Sequence, residues 1–191
     1  LYSQYIDSIR RTNPEDKHII MNCAEKNITK ETIQQGAFQS DIAIITLGRI
    51  SGESEDRKPE DYFSLSESET LLIKNVCDIY HAANKRVIVI LNVGGVIETA
   101  SWKNKPDAIL LAWQTGQQGG DAIVDVISGK VTPSGKLPVS FPVAYSDVPS
   151  SPFFPGIPKE NPINSFYNEG IYVGYRYYET FDIPTSYEFG Y

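Results

Sequence analysis

Residues 86–91 read Arg-Val-Ile-Val-Ile-Leu, and this stretch decides the fold. After its first residue it is continuously apolar, which is typical of a parallel strand covered on both faces, because a strand with one wet face alternates polar and apolar residues. Residues 41–47 and 107–113 carry similar apolar runs, and helical patterns lie between the runs. Strands that alternate with helices predict an α/β fold, with a mainly parallel sheet sandwiched between helices.

The most clearly marked helix begins after Ser66. Ser66 and Glu69 have the spacing of a capping box, in which each side chain accepts a hydrogen bond from the other residue's backbone N–H. One helical face is then apolar and consists of Leu72, Ile73, Val76, Cys77, Tyr80 and Ala83. Weaker patterns predict helices at 1–12, from Thr29 to about Gln39, near Ile97 to Trp102 and from Ala122 to Ile127 with a stop at Gly129, and a strand at His18 to Met21.

The composition changes after residue 142. Five of the twelve prolines fall between Pro149 and Pro162, and eight of the twelve tyrosines lie beyond residue 144. Such a segment does not pair into a central sheet, yet it has too many aromatic residues for a solvated linker. We therefore predict an α/β domain over 1–142 and a Pro/Tyr-rich arm over 143–191 that packs on it, with an edge strand at Ile171 to Tyr178.

Charge and cysteine content exclude several classes of function. The formal charge of −7 leaves no basic stripe to neutralise phosphates, which argues against nucleic acid and against an anionic membrane as partners. Two cysteines, Cys23 and Cys77, are too few for a disulfide framework, and Cys77 is predicted to be a buried thiol. No apolar run reaches the length of a membrane span.

The stretch from Gly48 to Leu65 is predicted to carry the chemistry. It joins a predicted strand to a predicted helix, where ~2–6 residues are usual, so its length needs a functional explanation. Loops at the carboxyl ends of strands are where open α/β sheets bind ligands. The loop holds five carboxylates, namely Glu53, Glu55, Asp56, Glu60 and Asp61. The alternative is a solvated, charged surface loop.

Other catalytic patterns do not fit. Gly116, Gly119 and Gly120 lack the dinucleotide spacing, and Gly135-Lys136 lacks the Ser or Thr of a phosphate-binding loop, so no nucleotide cofactor is predicted. The only histidines, His18 and His81, have no triad or metal spacing and are interpreted as structural. Carboxylates remain for acid or base chemistry, and desolvation can raise the pKa of a glutamate until it donates a proton at neutral pH.

Several stretches together resemble one family, the family 3 glycoside hydrolases of the β-glucosidase and β-xylosidase group. Ser51-Gly-Glu53 with Asp56-Arg57 resembles the acid/base loop of that family. Residues 110–142, which end in Pro-Ser-Gly-Lys-Leu-Pro-Val-Ser-Phe-Pro, resemble its long signature, and residues 167–178 and 187–191 resemble its tail. The match over 110–142 is long and specific, whereas Ser-Gly-Glu alone is a weak signal.

The resemblance implies that this chain is the second, α/β sandwich domain of a larger retaining enzyme. In the family a (β/α)₈ barrel precedes it and supplies an aspartate nucleophile and most of the sugar pocket. The expected substrate is a β-linked glucoside or oligosaccharide, with no cofactor and no metal. A periplasmic or extracellular location is expected from the resemblance only.

Carried over by motif position, Glu53 becomes the general acid/base, and its rival by proximity is Glu55. Asp56 and Arg57 are interpreted as loop support. Trp113 and Gln114, at the end of a predicted strand, are candidates to face the substrate side, although core packing explains the tryptophan equally well. The competing function class is a non-catalytic module that binds carbohydrate or a protein partner.

Overall fold

The computed structural model describes residues 28–50, 52–54 and 56–191. The predicted helix at 1–12, the predicted strand at His18–Met21, and Cys23 lie outside the described residues. In chain order the elements are α1 (Lys30–Gln39), β1 (Ile42–Gly48), α2 (Pro59–Tyr62), α3 (Glu67–Ala82), β2 (Arg86–Asn92), β3 (Ala108–Leu111), α4 (Gly119–Ile127), β4 (Phe141–Pro142), α5 (Tyr175–Thr180) and β5 (Thr185–Tyr187). A short 3₁₀ helix spans Tyr145–Asp147.

Strands β1, β2 and β3 form a parallel sheet in that order, which confirms the predicted α/β class. The register aligns Ile45 with Val89, and Val89 with Ile109. Side chains of β2 are buried on both faces, since Val89 and Ile90 are neighbours in sequence and both have 0% exposure. The continuous apolar run at 87–91 therefore reflects a central strand with no wet face.

The third strand is shorter than the apolar run at 107–113 predicts. It ends at Leu111, and Trp113 has a φ of 54° in the left-handed region, which no extended strand adopts. At the other end, Asp107 lies just before the strand, and its side chain accepts a 2.8 Å hydrogen bond from the backbone N–H of Val87. Strand β3 is thus bounded by Asp107 before it and by the left-handed backbone at Trp113 after it.

The helices begin where their caps predict. Thr29 accepts a hydrogen bond from the N–H of Thr32 at the start of α1, and Ser66 and Glu69 form the predicted capping box of α3. Helix α4 buries Ile123 and Val124 against Ile90. The helix begins at Gly119, three residues before the predicted start at Ala122, which is itself exposed. Helix α4 ends before Gly129, which has a φ of +76°, as the stop signal predicts.

The chain forms two compact units. The first contains α1, β1, α3, β2, β3 and α4, and the second contains 52–65 with α2, 96–101, and everything from 135 onward. The boundary that the sequence predicts at residue 142, and the packing of 143–191 on the sheet domain, stay predictions. No helix among the described residues is long and apolar enough to cross a membrane.

A small antiparallel ribbon of β4 and β5 organises part of the second unit. Phe141 pairs with Tyr187, and their rings meet edge to face at 5.9 Å. Ser186 of β5 shares a buried 2.7 Å hydrogen bond with the hydroxyl of Thr99. The short helix predicted near Ile97 to Trp102 is wrong, because Ile97 and Thr99 are both fully buried while the N–H of Glu98, between them, donates to another segment, at Phe63 O. This alternation is that of an extended segment.

The edge strand predicted at Ile171 to Tyr178 is also wrong. The segment turns at Gly174, which has a φ of +60°, and continues as α5. The rings of Tyr177 and Phe181, four residues apart, pack at 5.3 Å, and that spacing places side chains together on a helix. Aromatic residues favour strands, but the left-handed backbone at Gly174 ends the extended segment and the chain after it is helical.

Candidate active-site loop

The loop between β1 and α3 places Glu53 at the surface. Glu53 and Ser54 form a tight turn and are exposed, and the residues on either side of Glu53 both have left-handed backbones: Gly52 has a φ of 66° and Ser54 a φ of 71°. Asp56 is exposed as well. Ser51, the first residue of the predicted motif, and Glu55, the rival candidate for the acid/base, lie outside the described residues. Glu53 thus lies on a sharply bent stretch of backbone, and its side chain is exposed to solvent in this chain.

An ion pair joins the first residue after β1 to the first turn of α3. Arg49 donates two hydrogen bonds to the carboxylate of Glu69, at 2.6 and 2.8 Å, and the two side chains are only 11% and 13% exposed. Glu69 also accepts the backbone N–H of Ser66 at 2.8 Å. Burial acts to raise the pKa of Glu69, but the hydrogen bonds from Arg49 and Ser66 outweigh it and lower that pKa. The two ends of the loop are therefore held together by a charged, two-pronged contact.

Within the loop, the side chains of Arg57 and Tyr62 lie close to Gly52. A Cβ atom at Gly52 would be 2.9 Å from Cγ of Arg57 and 3.1 Å from the hydroxyl of Tyr62. The guanidinium carbon of Arg57 lies 6.0 Å from the ring centroid of Tyr62, at the outer limit of a cation–π contact. Arg57 and Tyr62 thus lie together beside Gly52; the loop-support role predicted for Arg57 stays a prediction, and no motif in the sequence marks Tyr62.

Tyr62 stands on the short helix α2, which continues into a buried residue. Phe63 is 9% exposed, its carbonyl accepts a 2.8 Å hydrogen bond from the N–H of Glu98, and its ring lies 6.0 Å from that of Tyr145. The sequence carries one signal for this helix, namely Pro59 followed by two acidic residues, since proline and acidic residues favour the first turn of a helix.

Trp113 and Gln114 follow β3 in the first unit. Trp113 is half-buried and has the left-handed φ of 54° noted above, a conformation that is an outlier for a bulky residue and often marks functional sites. The next residue, Gln114, is exposed and lays its amide over Gly94, where a Cβ would be 2.9 Å from Nε2. The left-handed backbone at Trp113 is thus followed by an amide that covers Gly94, two residues after the end of β2.

The remaining ionisable groups of interest have structural partners. Asp107 accepts hydrogen bonds from the N–H of Val87, from Arg86 and from His81, and these lower its pKa. His81 is therefore part of a surface ion-pair cluster, as its structural interpretation predicts. Cys77 is buried with 3% exposure, which confirms the prediction, and burial raises its pKa to about 11. No cluster of metal-ligating side chains occurs within the part of the chain that the structure describes.

Comparison with known proteins assigns the chain to a family. Residues 2–175 match the family described as "Glycosyl hydrolase family 3 C-terminal domain". The chain is 35% identical over 88% of its length to an exo-alpha-(1->6)-L-arabinopyranosidase from Bifidobacterium longum, and 35% identical over 87% of its length to beta-glucosidase A from Butyrivibrio fibrisolvens. It spans 21% and 22% of the length of these two relatives.

A solved structure agrees with these relatives. Beta-glucosidase 3B from Thermotoga neapolitana, solved in complex with glycerol, superposes with a TM-score of 0.84 and 48% identity over 100% of this chain and 27% of that protein. The match includes the parallel sheet that carries the loop after β1. The chain therefore belongs to the C-terminal domain family of the family 3 glycosyl hydrolases.

Proposed function

We propose that this chain supplies the general acid/base, Glu53, to the active site of a larger retaining β-glycosidase, with a β-glucoside as the substrate. The observation that carries the proposal is the position of Glu53 on a long loop that is held at its base by Arg49 and Glu69 and at its turn by Arg57 and Tyr62. An exposed carboxyl group on a loop with these contacts suits a residue that meets its substrate at an interface completed by other parts of an enzyme.

The proposed chemistry has two steps. In the first, Glu53 donates its proton to the glycosidic oxygen while the bond from that oxygen to the anomeric carbon breaks and a carboxylate nucleophile forms the glycosyl-enzyme ester. In the second, the Glu53 carboxylate takes a proton from water, and the oxygen of that water displaces the ester at the anomeric carbon. The starting protonation states of both carboxyl groups are restored.

We propose that the nucleophile and most of the sugar pocket come from a barrel domain of the larger enzyme. The relatives named above are four to five times longer than the part this chain matches, which supports a larger multidomain protein. A retaining glycosidase needs its two carboxyl groups only ~5–5.5 Å apart, so the barrel must present the nucleophile directly opposite Glu53. Trp113 and Gln114 are proposed to face the same substrate.

The test is Glu53→Gln in the full-length enzyme. We expect a loss of about 10²-fold or more on alkyl glucosides, whose departure needs protonation, and a much smaller loss on dinitrophenyl glucosides, whose departure does not. Azide should restore the second step because it replaces the water that Glu53 activates. Glu60→Gln is the matched control, since Glu60 is an exposed glutamate on the same loop.

Two results would contradict the proposal. If Glu55→Gln shows this pattern and Glu53→Gln behaves like the wild type, the acid/base is Glu55. If neither variant changes the dependence on the leaving group, while the chain still binds carbohydrate, the domain is a binding module and not a contributor of catalytic groups.

A further inference from the structure

The backbone turn that carries Glu53 has little free space at Gly52. The turn begins at Gly52, whose backbone has a φ of +66° and whose α-carbon faces Arg57 and Tyr62 with less space than a methyl group needs. Any shift of these two side chains toward Gly52 would have to move the turn. The backbone just before Glu53 is therefore packed against Arg57 and the hydroxyl of Tyr62.

The Tyr62 ring in turn has a fixed support. Helix α2 is closed by hydrogen bonds to the carbonyl of Lys58 from the N–H groups of Asp61 and Tyr62, each at 3.1 Å. The following residue, Phe63, is buried and hydrogen-bonded through its carbonyl to Glu98. Tyr62 thus links a buried part of its unit to the exposed turn at Gly52, and Arg57 fills the space beside it.

We infer that Tyr62 is a positioning residue for the acid/base: with Arg57 it forms the surface on which the Gly52–Glu53 turn rests, and it thereby sets the direction of the Glu53 carboxyl group. This inference rests on the proposed function. Tyr62 acts through the loop and takes no part in proton transfer. Its loss should impair the steps that Glu53 performs and leave sugar binding intact.

The experiment compares Tyr62→Ala, Tyr62→Phe and Glu53→Gln in the full-length enzyme with alkyl and dinitrophenyl glucosides. We expect Tyr62→Ala to lower kcat on alkyl glucosides by about 10-fold or more, because a misplacement of the order of 1 Å can cost about 10²-fold. Its KM and its rate on dinitrophenyl glucosides should stay within about twofold to threefold of the wild type. Tyr62→Phe removes the hydroxyl that faces Gly52 but keeps the ring beside Arg57, so it should retain only part of the activity that Tyr62→Ala loses.

The control truncates an aromatic residue of similar size elsewhere. Phe38 on α1 is 88% exposed, so Phe38→Ala should leave the leaving-group dependence unchanged. The pH profile of kcat/KM for alkyl glucosides adds a readout that a loss of stability does not move: Tyr62→Ala should shift its alkaline limb, which reports the acid form of the catalytic carboxyl group.

The outcomes separate the inference from the proposal on which it rests. If Tyr62→Ala lowers kcat equally on both substrates, or raises KM alone, or leaves the pH profile in place, Tyr62 does not position the acid/base. This holds when Glu53→Gln shows its expected pattern. If Glu53→Gln itself lacks that pattern, the assignment of the acid/base has failed, and the inference fails with it.

Discussion

At the residue scale, Gly52 meets two requirements that a side chain would violate. Its φ of +66° lies in the left-handed region, where any residue with a Cβ is disfavoured by roughly 1–2 kcal/mol. A Cβ atom at this position would also lie 2.9 Å from Cγ of Arg57, closer than van der Waals contact allows. The chain provides a comparison in Gly170, which has a φ of +56° but nothing within 4 Å of the Cβ position.

We predict that Gly52→Ala in the full-length enzyme lowers kcat on alkyl glucosides by about 10-fold or more, because the new methyl group displaces Arg57, Tyr62 or the turn itself. Gly170→Ala carries the same backbone strain without the contact and should stay within about twofold of the wild type. Steady-state kinetics of both variants make the comparison. Equal losses in the two would mean that backbone strain alone, and not the contact beneath Glu53, governs the effect.

At the scale of elements, the contact between Arg49 and Glu69 closes the loop that joins β1 to α3. Glu69 does so while completing the cap of α3, so one carboxylate stabilises both the helix start and the loop base. Its pKa is lowered below the ordinary value of 4.5. A lowered pKa in the folded state means that the charged form stabilises the fold, fully above the unfolded-state pKa and less as the pH falls through the folded-state value.

We predict that Glu69→Gln lowers the free energy of unfolding of the chain by about 1–2 kcal/mol at pH 7, since hydrogen bonds to a charged group are replaced by neutral ones. The difference from the wild type should shrink as the pH falls below about 4.5, where Glu69 of the unfolded chain takes up a proton, and on through the lower folded-state pKa. Urea unfolding between pH 3 and 7 measures it. Glu67→Gln, an exposed residue of the same helical turn, should change the free energy by less than about 0.5 kcal/mol. A Glu69→Gln effect that is constant with pH would rule out the charge as its cause.

At the scale of the whole molecule, we predict that this 191-residue chain folds by itself and does not hydrolyse glycosides. Its sheet has a central strand with fully buried side chains and its helices carry their own caps, which suffices for one core. Catalysis by the proposed mechanism needs a second carboxyl group across from Glu53, which the proposal assigns to the barrel.

The measurement combines circular dichroism with a p-nitrophenyl β-glucoside assay on the purified chain and on its Glu53→Gln variant. A cooperative melt without turnover is expected. Turnover that persists through purification and disappears in the Glu53→Gln variant would show that the chain carries a complete active site. A chain without a cooperative melt would show that its core needs the rest of the enzyme.

The sequence by itself determined what depends on neighbours along the chain. The apolar run at 87–91 has no polar position to offer to water, so it predicts a central parallel strand. The capping residues Ser66 and Glu69 satisfy each other's backbone N–H groups, so they predict the start of α3. The burial of Cys77 follows from its place on an apolar helical face. The motif around Glu53 named the candidate acid/base through a resemblance, and its role remains a proposal.

Only the tertiary structure decided contacts between residues that lie apart in sequence. Glu98 bonds to Phe63, and Thr99 to Ser186, so the segment near Ile97 is extended although its local pattern favours a helix. The partnership of Arg49 with Glu69 has the same origin. The proximity of the Tyr62 hydroxyl to Gly52 also depends on tertiary structure, because Tyr62 stands on α2, ten residues further along the chain. Local propensity is worth fractions of a kcal/mol per residue, and buried partners outweigh it.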